Sequence, residues 1–289
     1  MTDELKINGK AIYTTKGAAR EYGRIGCNFY TGCPHNCTYC YLKRGAPSKQ
    51  LGGTEVRLKK CFKDEEDARQ VFIRETWKHI WECRQHGVFF SFTTDPMTPK
   101  TREMTLFAVT SANHHGIPVK ILTKDACFVN DDRTVARLCS PELLRSDIHI
   151  GFTLTGRDDM EPNADSNADR IDAMRRMKEL GFKTFASIEP VIDWQHARMV
   201  IDLSLDCCDH YKIGMRSGVK KDYYDLVASG MNIRDLTEQI VKAGRTVYLK
   251  ESTRALLRRC FIEEECERIL SMTVDMDGKP YHKSGDSEN

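Results

Sequence analysis

"VFFSFTTDPMTPKTREMTLFAVTSANHHGIPVKILTKD", residues 88–125, decides the fold. It opens on an apolar, β-prone run at 88–94 and turns at TTDP. A helical segment follows over 100–115, and the chain returns through Gly116 to a second apolar run at 118–123. Two strands joined by a helix pair in parallel with a right-handed crossover. The unit recurs on both sides. Further strands are expected at 25–30, 147–154, 183–188, 210–215 and 246–250. Helices are expected near 64–86, 131–145, 167–180, 194–204, 232–243 and 252–270. Gly87, Gly116, Gly181 and Gly244 each follow a helical run, as C′ glycines do. Asp64, Glu65, Glu66 and Asp67 suit the first turn of a helix. Asn167 or Asp169 suits the cap of the helix at 167–180, and Asp193 that of the next. The class is α/β: seven strands fit a partial (βα) barrel or a doubly wound sheet. In both, chemistry collects at the C-terminal ends of the strands.

The composition is that of an ordinary globular chain. Of 289 residues, 40% are apolar and 30% charged, and the formal net charge of +2 gives no global field for nucleic acid or membrane. No apolar run approaches the roughly 18 residues of a membrane helix, and MTDELKINGK is too polar for a signal peptide. These features point to a cytoplasmic protein with no membrane partner. A single domain over 1–271 is expected, with a core at about 22–250, a helical extension at 251–271 and a disordered tail at 272–289.

Twelve cysteines in a reducing compartment turn attention to metal or redox chemistry. Three of them crowd into "GCPHNCTYCY", residues 32–41, just after the first expected strand: Cys33, Cys37 and Cys40. Three thiolates can hold three irons of a [4Fe–4S] cube and leave the fourth iron open. An open position distinguishes catalytic metal centres from structural ones. The alternatives are zinc completed by His35 or Cys27, and a plain electron-transfer cluster. Zinc sites usually show paired ligand doublets, and an electron-transfer cluster needs a fourth cysteine. The other nine cysteines form no such pair and suit small buried hydrophobes.

The spacing of the triad, with aromatic Tyr39 before the last cysteine, resembles the signature of the radical S-adenosylmethionine (SAM) superfamily. "AIYTTKGAAREYG", "SFTTDPMTP", "VKILTKDA", "GFTLTGRDD", "ASIEPVID" and "DHYKIGM" extend the resemblance to its spore photoproduct lyase-like branch, over about residues 11–250. The resemblance implies a partial (βα)6 TIM-type barrel, here with a C-terminal extension holding a seventh strand and a helix. It implies two cofactors, a [4Fe–4S] cluster on Cys33, Cys37 and Cys40, and SAM on the open iron. Reductive cleavage of SAM would then give a 5′-deoxyadenosyl radical that abstracts hydrogen from a substrate. An external one-electron donor of the flavodoxin or ferredoxin kind is implied as well.

The ends of the other strands supply the expected SAM ligands. Thr93, Thr94 and Asp95 occupy the positions where the family contacts the SAM amine, and a carboxylate can accept from that group. Asp95 could equally cap the following helix, with Pro96 at its first position. Lys124 suits the methionine carboxylate. Thr153 and Thr155 offer hydroxyls, and Glu189, aimed by a turn at Pro190, suits ribose or substrate. Lys212, Arg216, Lys250 and Glu251 face the substrate side or form rim ion pairs. His35 is expected on the loop surface.

The substrate is open. Seven basic residues between Lys43 and Lys63 (Lys43, Arg44, Lys49, Arg57, Lys59, Lys60 and Lys63) oppose only Glu55, so the loop at 43–63 is a candidate nucleic-acid or nucleotide surface. Spore photoproduct lyases place a hydrogen-donating cysteine at the end of the second strand. Here that stretch has threonines, so thymine-dimer repair is not expected, and Cys127 is the substitute to consider. Cys260 and Cys266 are candidates for an auxiliary cluster. The competing function is a non-catalytic iron–sulfur or nucleic-acid-binding protein.

Overall fold

The computed structural model describes residues 5–45, 48–220, 222–275 and 278–281. The chain forms two compact units: residues 1–153 with 157–184, and residues 154–156 with 185–289.

The first unit carries β1 (Ile12–Thr14), β2 (Ile25–Cys27), β3 (Tyr30–Thr31), β4 (Arg57–Leu58), β5 (Val88–Phe90), β6 (Val119–Thr123) and β7 (Ile148–Thr153). Its helices are α1 (Ser48–Leu51), α2 (Glu65–Lys78), α3 (Ile80–His86), α4 (Arg102–His114), α5 (Asp132–Leu138) and α6 (Asn167–Glu179). β2, β5, β6 and β7 lie side by side in parallel, with Phe90 opposite both Cys27 and Ile121, and Ile121 opposite Ile150. These strands are buried along most of their length, which explains their continuous apolar runs.

β1, which the periodicity does not reveal, pairs antiparallel with β2. Its entry is held by one side chain. The Glu75 carboxylate accepts from the amides of Lys10, Ala11 and Ile12 at 2.7, 2.9 and 3.0 Å. Hydrogen bonds to a charged acceptor are worth more than neutral ones, so Glu75→Ala should cost about 2–3 kcal/mol. A urea titration reads this directly, and Glu75→Gln should lose less.

The second unit continues β8 (Lys183–Val191) from Phe185 and adds β9 (His210–Met215), β10 (Thr246–Leu249), α7 (Trp194–Ser204), α8 (Leu226–Lys242), α9 (Glu251–Cys260) and α10 (Glu263–Ser271). Its strands are parallel in the order β8, β9, β10. β10 is the seventh strand of the βα series expected from sequence.

Several local expectations change. The helix at 64–86 breaks at His79 into α2 and α3, and that at 252–270 breaks between Cys260 and Glu263. α5 stops at Leu138, seven residues short, and α8 starts six residues early at Leu226. The cap of α6 is Ser166, whose hydroxyl accepts from the Asp169 amide, and Asp169 answers as the third residue of a capping box. Asp95 caps nothing, because α4 begins at Arg102. Pro190 makes no turn, since β8 runs through it to Val191. Asp64 and Asp193 do cap α2 and α7, and the four C′ glycines have φ between 67° and 89°. In the tail, Val274 bridges Pro280, and the Tyr281 amide donates to Thr273 O at 2.9 Å. The rest of that tail (276–277 and 282–289), like residues 46–47 of the basic loop, lies outside the described residues.

Candidate active site

The cysteine loop leaves β3 through Gly32, whose φ of +81° places a would-be Cβ 2.1 Å from Glu55 O. No side chain fits there, so residue 32 must be glycine for the loop to turn against the segment it packs on. The amide of Cys33 then donates to Gly53 O at 2.9 Å. Asn36 sits in the left-handed region at φ 54°, and the Lys43 ammonium donates to its carbonyl and side-chain oxygens at 2.9 and 2.5 Å.

Two buried carboxylates grip the loop, one on each side of Cys37. His35 is 4% exposed and is not loop surface. Its Nε2 donates to Asp95 Oδ2 at 2.9 Å and its Nδ1 to Asn163 O at 3.0 Å. With acceptors at both nitrogens the ring is held as imidazolium. Burial alone would depress its pKa; Asp95 and Asn163 outweigh that and raise it. Asp95 also accepts from Met97 N, Thr123 Oγ1 and Lys124 N at 2.9, 2.7 and 2.7 Å. Burial works to raise its carboxyl, and the His35 charge with these donors overcomes it and holds it at about 2.

On the other side, Tyr39 donates its phenol to Glu161, which is fully buried. Glu161 also meets Arg170 Nη2 at 2.5 Å and Lys124 Nζ at 3.9 Å. The Lys124 ammonium stands 5.7 Å from the centre of the Tyr39 ring. Burial opposes its charge, but Cys37 and Glu161 nearby raise its pKa overall. Arg170 further donates to Thr153 O at 2.6 Å and to Asp165 O. Thr38 N and the Pro34 carbonyl are tied to Met160 O and the Asn163 amide, so the segment after β7 backs the cysteine loop.

Of the expected site residues, the first unit thus brings together Cys33, Cys37, Tyr39, Cys40, Asp95 and Lys124, with Thr153 joined through Arg170. Thr93 gives its hydroxyl to Tyr30 O at 2.5 Å. The Thr94 hydroxyl is buried and has no partner among the described residues. Thr155 and Glu189 belong to the second unit. There Glu189 pairs with Lys250 at 2.6 Å. Their side chains cross Gly214, where a Cβ would lie 2.8–2.9 Å from Glu189 and Lys250 carbons. Gly214→Ala should therefore displace this pair and cost about 1–3 kcal/mol, as overpacking does; thermal unfolding is the measurement.

The model of the "Radical SAM superfamily" matches residues 27–202, more than half of the chain. The chain belongs to the radical SAM superfamily. Enzymes of this family use a [4Fe–4S] cluster and SAM. An uncharacterized protein of Methanocaldococcus jannaschii is 27% identical over 173 residues, 57% of this chain and 59% of that protein. The match thus spans about three-fifths of the curated relative's length. In fold, the chain is similar to a spore photoproduct lyase mutant with bound AdoMet and dinucleoside spore photoproduct: TM-score 0.56, 13% identity, 82% of this chain and 79% of that one. A second mutant of that lyase, with dinucleoside spore photoproduct, gives TM-score 0.56 and 14% identity over 83% and 78% of the two chains. The fold is accordingly the α/β, partial-barrel type of radical SAM proteins.

The donor set fits the family's cluster. Zinc completed by His35 or Cys27 does not fit, because both His35 nitrogens are taken and Cys27 is fully buried in β2. No three His, Cys, Asp or Glu side chains among the described residues converge as ligands of one ion would. A cube takes one thiolate at each of three separate irons and does not require that convergence. Burial pushes the Cys33 thiol up to about 12 and raises that of Cys37 as well.

Other cysteines are placed differently. Cys127, unlike the buried majority, is exposed; its thiol donates to Asp165 Oδ1 at 3.3 Å, and partial burial with that contact pushes it up to about 11. Cys260 and Cys266 donate to backbone carbonyls of α9 and its end, which does not suit an auxiliary cluster. In the basic loop, Lys43 serves Asn36, Arg57 pairs with Glu55, and Lys59 donates to Lys10 O, so these cations are engaged within the protein. No helix among the described residues is long and apolar enough to cross a membrane.

Proposed function

We propose that this chain is a radical SAM enzyme that cleaves SAM reductively and abstracts hydrogen from its substrate. Cys33, Cys37 and Cys40 are the cluster ligands in this reading. One observation carries it: the loop offers three thiols, while the nitrogen ligand between them, His35, is withheld by Asp95 and Asn163. When bound, the cluster would supply one electron to the sulfonium of SAM, giving methionine and a 5′-deoxyadenosyl radical.

The chain's own residues bind and orient. Lys124, cationic and placed against Tyr39, takes the methionine carboxylate. The unpartnered Thr94 hydroxyl is a hydrogen-bonding group awaiting a ligand, since a buried polar atom without a partner is costly. Tyr39 presents its ring beside the cysteines while its phenol is spent on Glu161. Asp95, with four donors already on its two oxygens, acts by holding the loop; the amine of SAM is left to Thr93, Thr94 and backbone carbonyls of that turn. Thr153 and Thr155 remain assigned to the ribose or the carboxylate of SAM, and Glu189 to ribose or substrate. The electron comes from an external donor of the flavodoxin or ferredoxin kind, consistent with Cys260 and Cys266 being turned to the backbone.

Anaerobic reconstitution tests the reading. The protein should turn brown, bind about four irons per chain, and release 5′-deoxyadenosine from SAM with dithionite. Reconstituted protein with full iron that makes none, beside a working control enzyme, returns the chain to a non-catalytic iron–sulfur role.

A further inference from the structure

We propose that one sheet face of the second unit is an anion site that takes a phosphoryl group of the substrate; the word "substrate" here rests on the function proposed above. β9 alternates, so Lys212 and Gly214 point to one side; Arg216 follows the last residue of that strand. Tyr248 of β10 and Ser187 of β8 are the register partners of Lys212 and share that side. The Glu189–Lys250 pair lies across Gly214 on the same side. A sheet face that would ordinarily carry apolar side chains thus carries charge, and Lys212 and Lys250 are 3% and 2% exposed.

Two arginines, Arg216 just past β9 and Arg254 of α9, carry donors that nothing among the described residues meets. Arg216 stacks on Tyr223 at 5.6 Å and reaches its phenol only at 3.4 Å, and its Nε is buried without a partner. Arg254 stands 4.9 Å from the Tyr248 ring, which also holds the Lys212 ammonium at 5.2 Å. It also stands 5.0 Å from the Tyr281 ring, and its Nε and Nη2 are buried with no hydrogen-bond partner among the described residues. A buried guanidinium N–H without an acceptor costs free energy, and an oxyanion is the acceptor it suits geometrically. Among the described residues Lys212, Lys250 and Arg254 set three cations against the Glu189 carboxylate, with Arg216 just past β9, so the acceptor the face lacks is anionic. A phosphoryl group matches best: a monoester at neutral pH carries close to two negative charges and three acceptor oxygens. It can come from a phosphorylated small molecule or from a nucleic-acid strand.

Calorimetric titration of full-length reconstituted protein with inorganic phosphate tests the site. Wild type should bind saturably. Arg216→Gln and Arg254→Gln should each weaken binding about tenfold or more. Arg216→Lys should fall between, because it keeps the charge and loses the fork. Lys49→Gln, on the exposed basic loop, should match wild type. Thermal unfolding of each variant separates misfolding from lost contacts. Uridine 5′-monophosphate binding better than an oligouridylate identifies a small-molecule source. The reverse order, with a steep salt dependence, identifies a strand. Absent phosphate binding in wild type, or equal affinity in wild type and both glutamine variants, overturns the site. SAM cleavage by wild type is measured in the same preparation. Cleavage without phosphate binding removes this site alone, and phosphate binding without cleavage removes the reaction alone.

Discussion

Replacing any one of Cys33, Cys37 or Cys40 by alanine should lower reconstituted iron from about four to below one per chain and take 5′-deoxyadenosine to the assay background. A cube held by two thiolates has two open corners and decays on handling, so the effect should be all but complete for each position. Cys27→Ala and Cys207→Ala provide the contrast. Both thiols are buried in the fold, so any loss there is of stability, with iron per folded chain unchanged. If a triad variant kept its iron and made 5′-deoxyadenosine at the wild-type rate, the assignment of ligands would fail. Placing a histidine or cysteine nearby should not help, since a fourth protein ligand would occupy the corner that SAM needs.

The triad stands out in the sequence because its spacing is local: three cysteines fall within eight residues, whatever surrounds them. The βα series was legible for a similar reason. Parallel strands buried on both faces give apolar runs, and each helix between them ends on a glycine. What the sequence hides is non-local. β1 is three residues long and is held by Glu75, sixty-odd residues away, so no periodicity announces it. His35 reads as a loop residue, and only Asp95 and Asn163, distant in the chain, make it a buried cation. Asp95 reads as a ligand because it follows a strand, yet its lone pairs are consumed by the loop and by β6. Glu161 escaped because it lies eight residues beyond β7, outside the short stretch after a strand where site residues are usually sought. A carboxylate between Met160 and Pro162, in a loop that also holds Asn163 and Asp165, was the available signal.

Glu161→Ala should be the most destabilising single change in the first unit, at about 3–5 kcal/mol. Glu161 and Arg170 are both without solvent exposure at their side chains, and removing the carboxylate leaves a guanidinium charge buried and uncompensated. Its remaining bonds to Thr153 O and Asp165 O satisfy donors but supply no countercharge. Tyr39 and Lys124 lose their common partner in the same step. The midpoint of chemical denaturation, measured on protein without cluster, reads this apart from activity. Glu161→Gln keeps an acceptor for Tyr39 and should lie between wild type and alanine. Glu161→Leu combined with Arg170→Met should recover much of the loss, because an apolar pair of similar volume removes the unpaired charge. That recovery should not extend to SAM cleavage. With Glu161 gone, nothing fixes the Tyr39 phenol or sets Lys124 against its ring, so a refolded double variant should hold iron and turn over slowly. A double variant as active as wild type would reduce Glu161 to a structural residue.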